Sequence, residues 1–389
     1  MSVETITLGC RLNFAESETI RRLATAEEDW VVVNSCAVTN EAVRQTRQAI
    51  RRAHRERPNS RILVTGCAGE LNAKAFEAMP EVDRVIGNDN KIGSLGGDAQ
   101  VAPAGFLGHV RSFVAVQTGC DHRCTFCSIW QARGPSRSLP FEVIRDAVVR
   151  ELQRGAREIV LTGVDITSYC HGGVGLGELC QRLLASVPAL TRLRLSSLDS
   201  IEIDDALFEL IAGDPRLMPH FHLSLQAGDD MILKRMKRRH NRAQAVATIE
   251  RIKQARPDAT IGADLIAGFP TENEDMALNT LKLLDDCEIV AAHVFPFSPR
   301  PNTPAERMPQ LAREVVKARA ARLRAAASER RSRWLDGLKG STQPTLIENN
   351  GKGHSDSFAP IVIAGATRGQ TGKARITGRE GDQLTAVWA

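Results

Sequence analysis

A short apolar run that ends in a turn recurs along this chain, and the segments between these runs have a helical pattern. Three such runs, in "ETITLGC", "DWVVVNSC" and "SRILVTGC", lie in the first 97 residues, and each turn carries a cysteine. Each run is typical of a buried parallel strand. The alternation of strand and helix predicts an α/β protein whose N-terminal domain, residues 1–97, is an open α/β sheet.

Six further runs follow from residue 111, in "SFVAVQTGC", "EIVLTGVD", "RLRLSSLD", "HFHLSLQAG", "ATIGADLIAGFP" and "IVAAHVFPFSP". Six strand–helix units predict a partial (β/α)6 barrel over residues 111–335, with its reactive loops at the C-terminal ends of the strands. A stretch rich in Gly, Asn and Pro precedes the series, and we expect a linker at residues 98–110. Residues 336–389 have short strand patterns between polar turns, which predicts a small β-barrel.

The bulk composition is that of an ordinary globular protein of more than one domain. The chain has 389 residues, of which 42% are hydrophobic and 25% charged. No apolar run approaches the roughly 18 residues that a membrane span needs. The first residues, "MSVETITLGC", have no secretory signal pattern. We therefore expect a cytoplasmic protein whose cysteines stay reduced and free to bind metal.

Three cysteines, Cys10, Cys36 and Cys67, each follow one of the N-terminal strands. Parallel strands joined by right-handed crossovers end at one edge of a sheet, so the three thiols can converge there. Zinc normally takes four ligands. Three thiolates instead suit an iron–sulfur cluster in which one iron has no protein ligand. The alternative is that each is an ordinary buried thiol.

The stretch "CDHRCTFC" contains Cys120, Cys124 and Cys127. Its short connections give poor geometry for a disulfide between neighbours, which favours a metal or a cluster. Zinc completed by His122 or Cys170 is the alternative, although zinc sites favour paired C-x2-C arms. An iron–sulfur cluster that leaves one coordination position open needs only three cysteine ligands, which is the number in this stretch.

This C-x3-C-x2-C loop, with Phe126 before its last cysteine, resembles the cluster loop of the radical S-adenosylmethionine family. The resemblance implies a 4Fe–4S cluster whose open iron is chelated by the amino and carboxylate groups of S-adenosylmethionine. Two cysteine sets on two domains, followed by a small β-module, resemble the methylthiotransferases over nearly the whole chain. Membership would imply two 4Fe–4S clusters, of which the one on the N-terminal cysteines supplies the sulfur.

Later strand ends carry groups that fit the same cofactor. "LTGVD" resembles the glycine-rich turn that meets the ammonium of S-adenosylmethionine, although the usual Gly-Gly-Glu is replaced and the shorter Asp165 stands at its end. Hydroxyl and amide groups after the next strands suit a ribose or a carboxylate, and "ADLIAGFP" resembles the segment that lies against adenine. Each could instead be an ordinary strand-end turn. The predicted cofactor-binding residues are Phe126, Gly163, Asp165, Ser196, Ser197, Gln226, Ile266 and Gly268.

Within the methylthiotransferases, "LGCRLNFAES", "NSCAVTNEAVRQTRQ", "LTGVDITSY" and "CTFCSIWQARGPSRS" are most similar to one branch. That branch adds a methylthio group to C2 of N6-threonylcarbamoyladenosine at tRNA position 37. The resemblance implies that one S-adenosylmethionine gives a radical that removes hydrogen from C2, while a second donates the methyl group. The alternatives are action on isopentenyladenosine in tRNA or on a ribosomal protein.

Two runs of basic residues are candidates for contact with nucleic acid. "KRMKRRHNR" begins at Lys234, and residues 311–339 carry nine basic side chains against three acidic ones. Either run alone could be a solvated helix face, but two together favour a polyanionic partner. The predicted RNA-binding residues are Lys234, Arg235, Lys237, Arg238, Arg239, Arg330, Arg331 and Arg333.

The partners follow from the resemblance and from these basic runs. The resemblance to the branch that acts at tRNA position 37 implies the anticodon loop of tRNA as substrate, and the C-terminal module resembles a TRAM domain, an RNA-binding β-barrel. The family chemistry further implies an electron donor such as flavodoxin or ferredoxin and a source of sulfur, and we expect a monomer without a membrane partner. A non-catalytic RNA-binding protein with structural zinc sites is the alternative from another class.

Overall fold

The computed structural model describes residues 3–24, 29–92, 102–105 and 110–389. The N-terminal part is a four-stranded parallel sheet in the order β1-β2-β3-β4, which confirms the predicted α/β sheet. Its strand β2 is almost wholly buried, as expected for a parallel strand covered on both faces. The elements are β1 Val3–Thr7, α1 Arg11–Leu23, β2 Trp30–Ser35, α2 Asn40–Glu56, β3 Arg61–Thr65, α3 Gly66–Leu71, α4 Ala73–Glu77 and β4 Arg84–Val85.

The central part contains the six predicted parallel strands together with short additional ones. Its strands are β5 Ala104–Gly105, β6 Arg111–Ala115, β7 Gln117–Thr118, β8 Arg137–Ser138, β9 Glu158–Thr162, β10 Leu193–Leu195, β11 His220–Gln226, β12 Thr260–Ala267 and β13 Ile289–Pro296. Its helices are α5 Ile129–Arg133, α6 Phe141–Gln153, α7 Leu176–Ser186, α8 Asp205–Gly213, α9 Asp230–Arg235, α10 Arg242–Ala255, α11 Glu274–Asp286 and α12 Arg313–Gly337.

These strands form a partial barrel. One sheet has the order β10-β9-β6-β5 and the other β11-β12-β13, and parallel bridges such as Leu198 to Leu223 join them. Along β11, Phe221, Leu223 and Leu225 belong to the main hydrophobic core, while the residues between them are half-buried and face the lumen. Helix α12 packs against β13 and α1 against β6, so these two helices flank the side on which the barrel is open.

Most of the predicted linker at residues 98–110 lies outside the described residues. The described part includes β5, which is not a flexible linker but pairs antiparallel with β6. The backbone N–H of Ala104 also donates to the hydroxyl of Thr19 in α1, at 3.0 Å. The remaining domain boundaries stay predictions. None of the described helices is long and apolar enough to cross a membrane.

The C-terminal residues form the predicted small β-barrel, closed in the order β14-β15-β16-β18-β17. It packs against the N-terminal ends of the central strands: Arg111 pairs with Glu348 at 3.0 Å, and the Thr260 hydroxyl donates to the Ser357 carbonyl at 2.8 Å. The C-terminal barrel therefore closes the end of the lumen opposite the strand C-termini. Its strands are β14 Thr342–Asn349, β15 Lys352–Ser355, β16 Pro360–Val362, β17 Thr371–Glu380 and β18 Gln383–Trp388.

Candidate active site

The three N-terminal cysteines meet at the C-terminal edge of their sheet, because each follows a parallel strand. Cys10 precedes α1, Cys36 follows β2, and Cys67 lies in the first turn of α3. The turn before Cys67 requires glycine: Gly66 has φ +87°, and a side chain there would overlap the backbone of Ser35. The fold therefore fixes where Cys67 lies.

The thiols of this set affect one another electrostatically. Burial raises the pKa of Cys36 to about 11, and the neighbouring Cys10 and Cys67 add to the effect. Metal ligation requires thiolates, so cluster assembly on this set would release protons.

One arginine that the sequence analysis did not single out lies beside this cysteine set. The Nε of Arg133, at the end of α5, lies 3.4 Å from the Cys67 sulfur. Its other nitrogens donate to Asn13 Oδ1 at 2.5 Å and to Glu16 Oε1 at 2.6 Å. Glu16 is also paired with the buried Lys91. Asn13, Glu16 and Arg133 lie in the motifs "LGCRLNFAES" and "QARGPSRS", so the family resemblance of these motifs could have identified them.

The second set lies on the loop between β7 and α5. Gly119, just before Cys120, has φ +77°, and a side chain there would overlap the Pro135 carbonyl. The loop then turns back, with the Cys127 N–H donating to the Cys124 carbonyl at 3.1 Å. Burial raises the pKa of Cys120 to about 12 and that of Cys127 to about 11.

Arg133 belongs to the short helix that follows Cys127, and the charge of Cys67 contributes to the raised pKa of Cys127. The two cysteine sets are therefore neighbours in space.

The zinc alternative does not fit this loop. His122 is engaged with Asp165, at 2.8 Å between Nε2 and Oδ2, and hydrogen bonds to Asp165 and then Glu202 raise its pKa to about 10. Cys170 is exposed. Among the described residues, three groups bring all their ligand atoms within 4.8 Å. One of them joins His122 to Cys120 and Asp165, but neither cysteine triplet is one of the three and Cys170 belongs to none of them. Thiolates that share one zinc lie closer than that, since Zn–S bonds are about 2.3 Å.

The predicted cofactor-binding residues fall into several places around the C-terminal ends of the strands. Phe126 packs against the cluster that contains Ile266, and Asp165 Oδ2 lies 4.0 Å from the Cys120 sulfur. The N–H of Asp165 is held by Gln117 Oε1 at 3.0 Å, next to Gly163, which packs on Gln117.

The other predicted cofactor-binding residues lie farther from the cysteine loop. Ser196 and Ser197 follow β10, and Gln226 ends β11 with φ +68°. Gly268, in contrast, packs against Val316 of α12. Phe126, Asp165 and Ile266 are thus the members placed closest to the cysteine loop.

The first basic run is divided between surface and interior. Lys234 and Lys237 are exposed, and Arg239 pairs with Glu202 at 2.5 Å. Arg235 donates to the Thr271 carbonyl at 3.2 Å. Arg238 points inward: it pairs with Asp199 at 2.9 Å and its Nη1 lies 3.7 Å from the Cys124 sulfur. Its position favours a contact with the cysteine loop rather than with an RNA phosphate.

The second basic run, on α12, is divided in the same way. Arg330 pairs with Asp285 at 2.6 Å, and Arg333 is exposed, 3.8 Å from the same carboxylate. Arg331 donates to the Val290 carbonyl at 3.4 Å. It also lines a cavity of about 410 Å3 in the lumen of the partial barrel.

Two family models match the chain. The Radical SAM superfamily covers residues 114–284, and the family described as Uncharacterized protein family UPF0004 covers residues 2–87. The first match spans Cys120, Cys124 and Cys127, and the second spans the N-terminal triplet. The central fold and its cysteine loop thus define a radical S-adenosylmethionine enzyme.

Similar proteins define the family more closely. A threonylcarbamoyladenosine tRNA methylthiotransferase MtaB of Rickettsia prowazekii is 44% identical over 99% of this chain and 97% of its own length. One of Bacillus subtilis is 31% identical over 92% of this chain and 89% of its own. The chain therefore belongs to the MtaB-like radical S-adenosylmethionine methylthiotransferases, as predicted, and uses S-adenosylmethionine and 4Fe–4S clusters.

The chain is also similar to a differently named tRNA methylthio-enzyme and, in fold, to a solved radical S-adenosylmethionine enzyme. A tRNA-2-methylthio-N(6)-dimethylallyladenosine synthase of Cereibacter sphaeroides is 31% identical over 95% of this chain and 94% of its own. Among solved structures, the radical S-adenosylmethionine methyltransferase TsrM of Kitasatospora setae aligns with a TM-score of 0.53 at 13% identity. The alignment covers 74% of this chain and 68% of that one. At this identity the likeness concerns the fold alone.

Proposed function

We propose that this enzyme adds a methylthio group to C2 of N6-threonylcarbamoyladenosine at position 37 of tRNA. The observation that carries the proposal is the pairing of two adjacent cysteine triplets with near full-length similarity to enzymes named for this modification. Action on isopentenyladenosine is the weaker alternative, because the dimethylallyl-type relative is 31% identical, against 44% for the Rickettsia enzyme. A ribosomal protein remains the other alternative substrate. The alternative that this chain is a non-catalytic zinc protein is wrong, since the members of its family are enzymes.

The residues present fit the cofactors. Cys120, Cys124 and Cys127 would hold one 4Fe–4S cluster, and the N-terminal triplet Cys10, Cys36 and Cys67 the other. When bound, these groups supply reductive cleavage of S-adenosylmethionine, radical activation of C2 and the sulfur of the product.

The side chains of this chain orient and shield these groups. Arg133 and Arg238 place positive charge beside one sulfur of each set, and charge close to cluster sulfurs tunes their reduction potential. Phe126 and Ile266 provide an apolar wall beside the cysteine loop, where exclusion of water protects a radical from side reactions.

The substrate tRNA would bind across the basic surface and the C-terminal barrel, which we propose to be a TRAM-like RNA-binding module. Exposed Lys234, Lys237 and Arg333 are the candidates for phosphate contacts. Since C2 of a stacked adenine is covered by its neighbours, the base must leave the stack to reach the lumen. We further propose a cytoplasmic monomer that receives electrons from a flavodoxin or ferredoxin and sulfur from a separate source.

Nucleoside mass spectrometry of tRNA tests the proposed function. A strain that lacks its own enzyme of this type should regain 2-methylthio-N6-threonylcarbamoyladenosine when it expresses this chain. Recovery of only the methylthio-isopentenyladenosine product, or of a modified ribosomal protein, would assign the chain to one of the alternative substrates.

A further inference from the structure

The lumen cavity is bounded by parts that are distant in the sequence. It lies between the strands of the partial barrel, Arg11 of α1, the α12 residues Arg324 and Arg331, and Phe358 of the C-terminal barrel. Because α1 and α12 flank the open side of the partial barrel, their arginines approach the cavity from the two sides of this opening. The volume of about 410 Å3 lies within the range of small-molecule pockets.

Some of the cations that line this cavity are already neutralised by acidic neighbours. Arg194 pairs with Glu158 at 2.7 Å, and Arg111 pairs with Glu348 at 3.0 Å. His222 and His293 both contact Asp264, at 3.0 and 3.2 Å. These contacts hold the strands and the C-terminal barrel together, and Arg194 and Arg111 each have a carboxylate partner.

Three arginines of the cavity have no such partner. In the described part of the chain, Arg11 makes a contact with the Phe113 ring at 5.7 Å and, like Arg324, forms no ion pair. Arg331 has a single long bond to a carbonyl and no carboxylate within ion-pair distance. Arg11 and Arg324 are exposed at the cavity and Arg331 is half-buried. Asp382, the one carboxylate among the residues that line the cavity, acts on Arg331 from beyond ion-pair distance. Three guanidinium groups without a paired carboxylate, against one acidic side chain, favour an anionic ligand.

The proposed substrate supplies such an anion. A threonylcarbamoyl group carries a free carboxylate, whereas the dimethylallyl group on the substrate of the related synthases is apolar. We propose that Arg324 and Arg331, with Arg11 opposite, bind the threonyl carboxylate and so determine which modified adenosine this enzyme accepts. The inference rests on the proposed function. Guanidinium groups suit this role because they bind carboxylates with two parallel hydrogen bonds.

A test compares two anticodon stem-loop RNAs, one with N6-threonylcarbamoyladenosine and one in which the carboxylate is replaced by a carboxamide. The reconstituted full-length enzyme should process the carboxylate RNA with a kcat/KM about 10- to 100-fold higher, the range of a lost charged hydrogen bond. Arg324→Gln and Arg331→Gln should each reduce this ratio towards one, mainly through KM. Iron content and thermal unfolding equal to those of the wild type show that each variant is folded before its ratio is measured.

The matched control is Arg322→Gln. Arg322 lies on the same helix but pairs with Glu274 at 2.5 Å and does not line the cavity, so the ratio should stay as in the wild type. Equal losses on both RNAs in the Arg324 and Arg331 variants would instead indicate a phosphate contact, because the two RNAs share their backbone, and would overturn the proposal.

An unchanged ratio in both variants would also overturn it. A wild-type enzyme that gives no methylthio product on the carboxylate RNA would count against the proposed function itself, and one that modifies both RNAs equally well would count against the carboxylate site alone.

Discussion

At the scale of single residues, the buried charges between the two cysteine sets are the most informative feature. Arg133, Glu16 and Lys91 are all nearly inaccessible to solvent, and such groups are costly to bury unless they are paired. Burial alone would raise the pKa of Glu16, but the charges of Arg133 and Lys91 outweigh it and lower the pKa to about 2. The network keeps Arg133 charged and fixed beside Cys67.

We expect Glu16→Gln to lower the free energy of unfolding by about 3–5 kcal/mol at pH 7, because two buried cations lose their counter-charge. A carboxylate with a lowered pKa stabilises the fold above its unfolded pKa of 4.5, and this contribution is lost as the pH falls towards 2. Denaturant unfolding at pH 7 and pH 3 should therefore show a smaller difference between variant and wild type at the lower pH. A difference independent of pH would contradict the role of the charge. Glu41→Gln, in an exposed pair with Arg44, is the control and should change little.

A second residue-scale prediction concerns Arg133 itself. Removal of a positive charge 3.4 Å from a ligand sulfur should make reduction of the N-terminal cluster harder. In a background that lacks the Cys120 set, Arg133→Gln should lower the midpoint potential, and Arg133→Lys should restore part of it. An electron paramagnetic resonance redox titration measures the shift. Equal potentials in all three proteins would rule out this role.

At the scale of elements, the strand-end turns decide where the ligands lie. Gly66 can adopt φ +87° against the backbone of Ser35 only because it has no side chain. The same strand-to-turn design recurs before Cys10 and before Cys120. In each case a strand delivers the ligand to the sheet edge and a glycine allows the turn.

We therefore expect Gly66→Ala to displace Cys67 and to reduce the iron content of the purified protein towards that of a single cluster. Gly213→Ala, at the end of α8 where an added methyl meets nothing within 4 Å, is the control and should keep both clusters. Iron and sulfide quantification distinguishes the two variants. Full iron in the Gly66 variant would show that the turn tolerates a side chain.

The sequence was sufficient to predict elements whose signals are local. Apolar runs ending at Cys10, Cys36 and Cys67 predicted both the sheet and the meeting of the cysteines, because parallel strands share an edge. Charge runs were less informative, since a run of arginines does not indicate which way each side chain points. Arg238 turns inward to Asp199, and Arg331 turns to the lumen. These directions depend on packing between elements that are far apart in the sequence.

At the scale of the whole molecule, the proposed active site is assembled from three parts. The N-terminal sheet brings one cysteine set, the partial barrel brings the other, and the C-terminal barrel closes the far end of the lumen. We propose that RNA reaches the lumen across the outer surface, where exposed basic side chains can neutralise phosphates.

Neutralising the two exposed lysines should weaken tRNA binding. Each lost phosphate contact removes about 0.7 to 0.9 from the log–log slope of affinity against salt, so a double Lys234→Gln, Lys237→Gln variant should have a flatter slope. Filter binding at several salt concentrations measures it. A slope equal to that of the wild type would mean that these lysines form an ordinary solvated surface.

The most direct test of the account replaces Cys10, Cys36 and Cys67 together with alanine. The Cys120 loop does not need these thiols as ligands, so the variant should retain about half of the iron and still form 5′-deoxyadenosine from S-adenosylmethionine. It should give no methylthio product on tRNA, because no sulfur is held beside the activated carbon. Liquid chromatography with mass spectrometry measures both products in one reaction. Wild-type amounts of 2-methylthio-N6-threonylcarbamoyladenosine from this variant would contradict the assignment of these cysteines as the site of the sulfur-donating cluster.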